Sequence, residues 1–383
     1  MQLNTIINSL FFAFACVGAI DYLLDNRFGL GIEFERGINC TGKLIICMVG
    51  FMTLAPVIGR VLSPLATPFF VSIGADPSVM AGMLLANDSG GAVLAMELAL
   101  DQQAGAFNGY VVASMLGGTV MCIIPMTMLN TDKRVRPAAI YGLVIGLFCV
   151  PFGSMVGGLA AGFSVNMLWH NLVPVIGLTF VLFVSLLLFQ RWIIKPFQFF
   201  GKLLVGVSLT GLLLTAAHET LGLTLVEGMQ PFSEVIPIIG NIALILCGVF
   251  PLLAVVTRLL RGVIHRCASA LKIGEQDTLS FLVTAVNLFP TFEHLNHMSL
   301  KGVMMNIAFM VGANCIIGDH FAFTFQMAPN MVGPMLIAKS ITGGLALVVS
   351  AALAPRLLGK EQRHSEDAPF DAPESSGRQT ATG

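Results

Sequence analysis

Charge is what this chain has least of. Only 11% of its 383 residues are charged, where a soluble domain carries about 25%. Hydrophobic residues make up 56%, and the mean hydropathy is +0.85. That balance excludes a water-soluble globule. A net charge of −1 offers no basic surface for nucleic acid. No nucleotide-binding motif is present, so no ATP-driven step is encoded, and no Gly-x-Ser-x-Gly is present for a serine hydrolase. The eight cysteines show neither Cys-x-x-Cys nor Cys/His metal spacing. Most lie in apolar runs and read as small hydrophobes. No arginine sits inside an apolar run, so nothing is poised to hold a phosphate or a dicarboxylate. No Lys or Arg precedes the first apolar segment and no cleavage site follows a short apolar core. That segment therefore reads as a retained helix, not a signal peptide.

What is present is a series of apolar stretches near the roughly 20 residues that a membrane helix needs. They cover 3–24, 43–60, 77–99, 103–129, 136–162, 168–190, 202–222, 236–257, 278–298, 302–327 and 331–354. The fold class expected is an all-α polytopic membrane protein of about nine to eleven transmembrane segments. It forms one domain over 1–358, with a disordered cytoplasmic tail over 359–383, where Glu, Asp, Ser, Pro and Gly take over.

One pattern occurs twice, about 200 positions apart. Gly74-Ala75-Asp76 leads to Asn87-Asp88-Ser89-Gly90-Gly91 and Glu97; Gly274-Glu275-Gln276-Asp277 leads to Asn287-Leu288-Phe289-Pro290 and His297. Flanking matches pair Asp21 with Glu219, Gly50 with Gly248 and Arg60 with Arg258. The halves are 1–197 and 198–358. Broken helices at corresponding places in two halves point to a transporter's binding site.

Lys and Arg mark cytoplasmic loops. If every segment crosses, they divide almost evenly between the two sides. If 77–99 and 278–298 instead enter and leave on one side, Arg60 is left nearly alone outside. That arrangement gives nine crossings and an inverted-topology repeat with two interrupted or re-entrant helices. Length agrees: residues 78–86 make a helix of ~14 Å, about half the ~30 Å hydrocarbon layer.

Ionisable groups inside apolar segments are costly and so are candidates by default. They are Asp88, Glu97, Glu293, His294, His297, Asp319, His320 and Lys339. Asn87, Asp88 and Ser89 stand at a helix break, where they can cap the second half-helix and also face a ligand. Asn287 precedes a proline that frees a backbone carbonyl. Glu293-His294 with His297 does not have the His-Glu-x-x-His spacing of a zinc protease, and no metal or cofactor is expected. Asp319-His320 interrupts the run 303–327, whose counterpart holds Gly118-Thr119, so the charge is confined to one half. Phe321, Phe323 and Phe325 read as lipid-facing rings, one of which could stack on an ammonium. Gly153, Gly157 and Gly162 read as a packing stripe. Lys339 is expected to pair with Asp319, Asp88 or a carbonyl of a broken segment. The residues alone lead to a transporter of a small polar or cationic solute, not an enzyme. An amino acid, nucleoside or amino alcohol carrier stays open, and an intramembrane enzyme is the distant alternative.

The stretch Leu84-Leu85-Ala86-Asn87-Asp88-Ser89-Gly90-Gly91, with Glu97-Leu98 after it, resembles the Leu-Leu-Ala-x-Asp-x-Gly-Gly…Glu-Leu signature of the ethanolamine permease family, EutH. Gly318-Asp319-His320, Asn287 with Pro290, and Pro334…Lys339 are similar to further motifs of that family. The resemblance covers about 45–355. It implies a permease in the cytoplasmic membrane that takes up ethanolamine for catabolism, with the lipid bilayer as its surroundings and a homodimer left open. Residues and resemblance together make Asn87, Asp88, Ser89, Glu97, Asn287, Glu293, Asp319 and His320 the expected substrate contacts. A carboxylate would pair with the ammonium, and Asn or Ser would take the hydroxyl. The chain departs from the family over 291–298 and is shorter between the fifth and eighth segments, which keeps a related amino alcohol open.

Overall fold

The computed structural model describes residues 3–259 and 261–366. All regular structure among them is helical. Helix α1 is Leu3–Leu23 and α2 is Gly31–Ser72. A first broken element follows, with arms α3 (Val79–Leu84) and α4 (Ala92–Leu98). Then come α5 (Gln102–Asn130), α6 (Arg136–Ala160) and α7 (Val165–Leu188). The second half has α8 (Gln190–Leu221), α9 (Phe232–Leu259) and a short amphipathic α10 (Arg261–Leu271). Its broken element has arms α11 (Glu275–Val286) and α12 (Phe289–His294). The chain then runs through α13 (Leu300–Ala313), α14 (Asp319–Met327) and α15 (Val332–Glu366).

Among the described residues, seven helices are long and apolar enough to cross a membrane, and Asn8–Leu23 and Leu300–Ala313 are shorter apolar helices. This is a multi-pass membrane protein. Two helices outgrow their apolar windows. Helix α2 begins in a polar stretch with Glu33 and continues through Pro56, Pro64 and Pro68, because the helix hydrogen-bonds its own backbone beyond the apolar stretch. Helix α15 runs to Glu366, so the boundary expected at 358 falls inside a helix; the tail from 367 on lies outside the described residues.

Both broken elements are hairpins. Asp76, ahead of α3, accepts from the backbone N–H groups of Leu100 and Asp101, beyond α4, at 3.0 and 2.9 Å. Asp277 at the start of α11 accepts from the Ser299 hydroxyl, beyond α12, at 2.7 Å. Each element therefore returns to where it began. The carboxylates that close the two hairpins stand about 200 positions apart. A second matched pair ties each hairpin to the next helix: Asn108 Nδ2 donates to Ser78 Oγ at 2.9 Å, and Asn306 Nδ2 to Asp277 O at 2.8 Å.

The halves also exchange contacts. Gly50 of α2 lies so close to α8 that a Cβ would sit 1.7 Å from Ser208 O; Gly248 of α9 lies against α1, 2.1 Å from Phe11 O on the same measure. The Arg60 guanidinium donates to Glu227 O at 3.0 Å, and Arg258 donates to Phe28 O at 2.6 Å. The residues that follow those carbonyls, Gly29 and Gly228, both have positive φ, +66° and +76°. Each half is thus clamped by the same arginine of the other.

Helices α6, α13 and α15 pack together behind the hairpins. A Cβ on Gly153 would meet Thr342 Oγ1 at 1.9 Å, and one on Gly157 would meet the Ala338 Cβ at 2.6 Å. These glycines bring α15 close and fix the depth of Lys339. Gly162 does not belong to that stripe: it has φ +79°, a Cβ on it would meet nothing within 4 Å, and it turns the chain at the end of α6. The phenylalanines of α14 are buried, not lipid-facing. Phe321 packs edge-on against Phe11 with ring centroids 5.7 Å apart, and Phe323 lies 6.5 Å from Tyr110. The break before α14 draws that helix inside the bundle.

Candidate functional site

Two breaks in helical structure, and one widened helix, supply the polar groups at the centre. The first lies in the first hairpin. Leu85 and Ala86 are extended, Ser89 is non-helical, and Gly90 has φ +96°. A Cβ on Gly90 would fall 2.0 Å from the Phe51 ring, so this close approach requires glycine. The Ala86 carbonyl accepts from Ser89 N and Gly91 N at 3.1 and 2.8 Å, which sets the turn. Asn87 and Asp88 are carried inward on it; both are buried.

The second break separates α13 from α14. The first arm of the second hairpin holds it open: Cys315 N donates to Thr284 O and Ile317 N to Ala285 O, both at 2.9 Å. Gly318 sits against Val286, where a Cβ would lie 2.0 Å from the carbonyl oxygen. This strand-like pairing satisfies backbone groups that would otherwise be unpaired in the interior. It leaves Asp319 and His320 at the first turn of α14.

The two breaks meet. Asn87 Nδ2 donates to Thr324 Oγ1 at 3.0 Å and to His320 O at 3.3 Å. His320 Nε2 lies 3.7 Å from Asp88 Oδ1. Ser89 Oγ donates to Asp88 Oδ1 at 3.1 Å, and His320 N donates to Asp319 Oδ1 at 3.0 Å. One donor atom from each of Asp88, Asp319 and His320 falls within 4.8 Å of the others. Asp88 is 7% exposed and His320 is 4% exposed, while Asp319 keeps part of its surface accessible. Two buried polar atoms here have no hydrogen-bond partner: Asn87 Oδ1 and His320 Nδ1.

Lys339 completes the centre. It is fully buried and donates to Ser114 O at 2.7 Å and Asn314 O at 2.8 Å. Its expected acidic partner is not at bonding distance. No ion pair joins Lys339 to Asp319 or Asp88 among the described residues. The second break and a widened stretch of α5 supply its partners instead. Helix α13 ends at Ala313, which frees the Asn314 carbonyl, and the Ser114 carbonyl lies in a stretch of α5 with wide turns, Phe107–Gly117. A buried ammonium takes such carbonyls readily.

Of the eight residues expected to face a substrate, the structure gathers Asn87, Asp88, Ser89, Asp319 and His320. Glu97 and Glu293 are exposed, as are His294 and His297. Glu97 stands beside Gly59 on the outer side of α2, past the end of the broken turn. Asn287 caps its own half-helix, accepting from Phe289 N at 3.0 Å. No hydrogen bond among the described residues joins the Asn87–Gly91 break to Asn287–Pro290. The first break faces the one before α14 instead, because the second hairpin spends its polar backbone on residues 315–317. Sequence reading passed over Ser114, Asn314 and Thr324. Ser114 and Asn314 act through main-chain carbonyls, which leave no side-chain signal, although the two stand about 200 positions apart like Asn87 and Asn287.

Fold and site together define a multi-pass helical membrane protein with two hairpins and a charged centre buried where they meet the bundle. The chain belongs to the EutH family: residues 3–353 match the family described as "Ethanolamine utilisation protein, EutH". It is 38% identical to the probable ethanolamine permease EutH of Listeria monocytogenes over 371 residues, which are 97% of this chain and 100% of that one. It is 30% identical to the probable ethanolamine permease EutH of Escherichia coli, covering 93% of this chain and 97% of the relative. A third relative is the uncharacterized protein YxeR of Bacillus subtilis, 33% identical over 95% of this chain and 98% of its own length. No solved structure matches the chain.

Proposed function

We propose that this protein is a permease of the cytoplasmic membrane that takes up ethanolamine as its ammonium ion. The observation that carries the reading is the meeting of Asp88 from one half with Asp319 from the other at two helix breaks. Carboxylates withdrawn from water stay ionised only beside a cation. The unused Asn87 Oδ1 and His320 Nδ1 beside them are groups for a hydroxyl two carbons from an ammonium. Relatives named probable ethanolamine permeases support that choice among small cations. Binding of this kind calls for no nucleophile, cofactor or metal, so the reading is of a carrier and not an enzyme.

Alternating access follows from the two halves if they are inverted. Phe28–Gly29 and Glu227–Gly228 are matched points. The second lies in the loop that enters the N-terminal end of α9, whereas Arg258, at the C-terminal end of α9, binds the first. Matched points therefore lie at opposite ends of one helix of ~42 Å. This arrangement favours a pseudo-two-fold axis in the membrane plane over one along the membrane normal. Rocking one half against the other would open the shared centre to each side in turn.

The test is uptake of labelled ethanolamine into vesicles, with choline, serine and ethylamine as competitors. Ethanolamine should saturate the carrier. Ethylamine should compete poorly, because a centre built for the hydroxyl is left with unpaired polar groups. Absence of saturable ethanolamine uptake, or equal competition by ethylamine, overturns the reading. A thiol reagent that cannot cross membranes should label Glu227→Cys from outside and Phe28→Cys only after the membrane is opened. Labelling of both from one side removes the inversion.

A further inference from the structure

Lys339 has no counterpart in the first half, where the position about 200 residues earlier is Ala139. Its two hydrogen-bond partners, however, are counterparts of each other. Ser114 O comes from α5 of the first half and Asn314 O from the end of α13 of the second. The ammonium is therefore seated between matched backbone carbonyls of the two halves, beside the place where their carboxylates meet. Helix α15 is held there by the close packing of Gly153 and Gly157 on Thr342 and Ala338. The lysine is part of the rigid bundle, not a side chain reaching in from a surface.

Consider the centre without it. Asp88, Asp319 and His320 offer three donor atoms within 4.8 Å of one another. Two carboxylates and an imidazole make a donor set that suits a divalent ion such as Mn²⁺. With both carboxylates ionised and the imidazole neutral, their charge is minus two. With the Lys339 ammonium present the centre carries minus one. A single monovalent cation then neutralises it, while a divalent ion leaves a buried excess of positive charge, which is costly in a water-poor interior.

We infer that Lys339 is a built-in counter-cation that turns a two-carboxylate, divalent-type centre into a seat for one monovalent cation. It thereby selects the charge class of the substrate and sets one ammonium per transport cycle. The inference rests on reading Asp88 and Asp319 as the substrate's seat, and it adds that the protein itself supplies half of the compensating charge.

The experiment compares purified wild-type protein with Lys339→Gln, which keeps a hydrogen-bond donor for the two carbonyls and removes the charge. Mn²⁺ is the probe, read by the shift in melting temperature and by the Mn²⁺ spin-resonance signal. The wild type should be indifferent to Mn²⁺. Lys339→Gln should bind it at least tenfold more tightly and melt higher in its presence. The double variant Lys339→Gln, Asp319→Asn should lose that response. If Lys339→Gln fails to fold but the double variant folds, the charge balance is supported. If both fail, the lysine is a tie between carbonyls and the inference falls. It also falls if wild type and Lys339→Gln respond to Mn²⁺ alike. Vesicle uptake separates this outcome from the substrate reading: a wild type that carries no ethanolamine but shows the expected Mn²⁺ contrast sinks the substrate, not the charge rule.

Discussion

The two halves meet the same packing problem at matched places and solve it differently. In the first half, α5 runs unbroken from Gln102 to Asn130, widening its turns over Phe107–Gly117 and Thr119–Ile123. In the second, the matching stretch stops at Ala313 and restarts at Asp319. The close contact is the same in both. A Cβ on Gly117 would lie 1.9 Å from Leu85 O, and one on Gly318 would lie 2.0 Å from Val286 O. A wide-turned helix keeps most of its hydrogen bonds and exposes little. A broken helix presents a first turn, with Asp319 and His320, and a freed carbonyl at Asn314. The hairpins differ in the complementary sense. The first delivers Asp88 into the centre, while the second holds residues 315–317 in place. The two halves share these close contacts, and the polar groups of the centre come from where they differ, at a different element in each.

The largest effect expected is at the two carboxylates. Asp88→Asn and Asp319→Asn should each lower the initial uptake rate by about 100-fold or more, because breaking a buried charge pair costs ~3–5 kcal/mol and ~1.4 kcal/mol is tenfold. Ser89→Ala, which removes one neutral hydrogen bond, is worth about 0.5–1.5 kcal/mol and should cost only several-fold. If a single aspartate variant is severe, that residue holds the ammonium and the other serves the fold. Near-normal saturable uptake by the double variant, at equal expression, would falsify the carboxylate site.

A smaller effect sharpens the frame. Gly117→Ala and Gly318→Ala each push a methyl into a carbonyl, and overpacking of this kind costs ~1–3 kcal/mol. Both should lower the melting temperature of the purified protein by a similar amount. A drop in only one would mean that the matched contacts do not bear equal strain, and the comparison of halves would break at its structural root.

The smallest effect is expected where sequence reading overreached. Glu97→Gln and Glu293→Gln alter exposed side chains, and surface substitutions usually stay within about 0.5 kcal/mol. Uptake rate and melting temperature should stay close to wild type. A loss of uptake comparable to Asp88→Asn in either would return that residue to the transport path.

Much of the frame was legible in the chain. Apolar length gave the helices and hence the membrane. The paired Gly…Asp and Asn breaks gave the two hairpins, and the scarcity of Lys and Arg on one side favoured their returning on themselves. Asp88, Asp319 and His320 stood out because an ionisable residue in an apolar run is too costly to be kept without a role. Glu97, Glu293 and the two nearby histidines met the same criterion and do not belong to the centre, because a half-helix ends within a few residues of an interface, and position along the chain does not tell interior from rim.

What only the tertiary structure decided is which breaks face one another and where the lysine's charge goes. Periodicity and spacing describe each segment alone. The pairing of the Asn87 turn with α14, and not with Asn287–Pro290, depends on how the second hairpin spends its backbone hydrogen bonds across the bundle. The carbonyls of Ser114 and Asn314 that hold Lys339 are main-chain atoms, common to every residue type, so no side-chain pattern could have marked them. They became ligands because one helix widened, another stopped, and a third was packed on glycines closely enough to bring an ammonium between them.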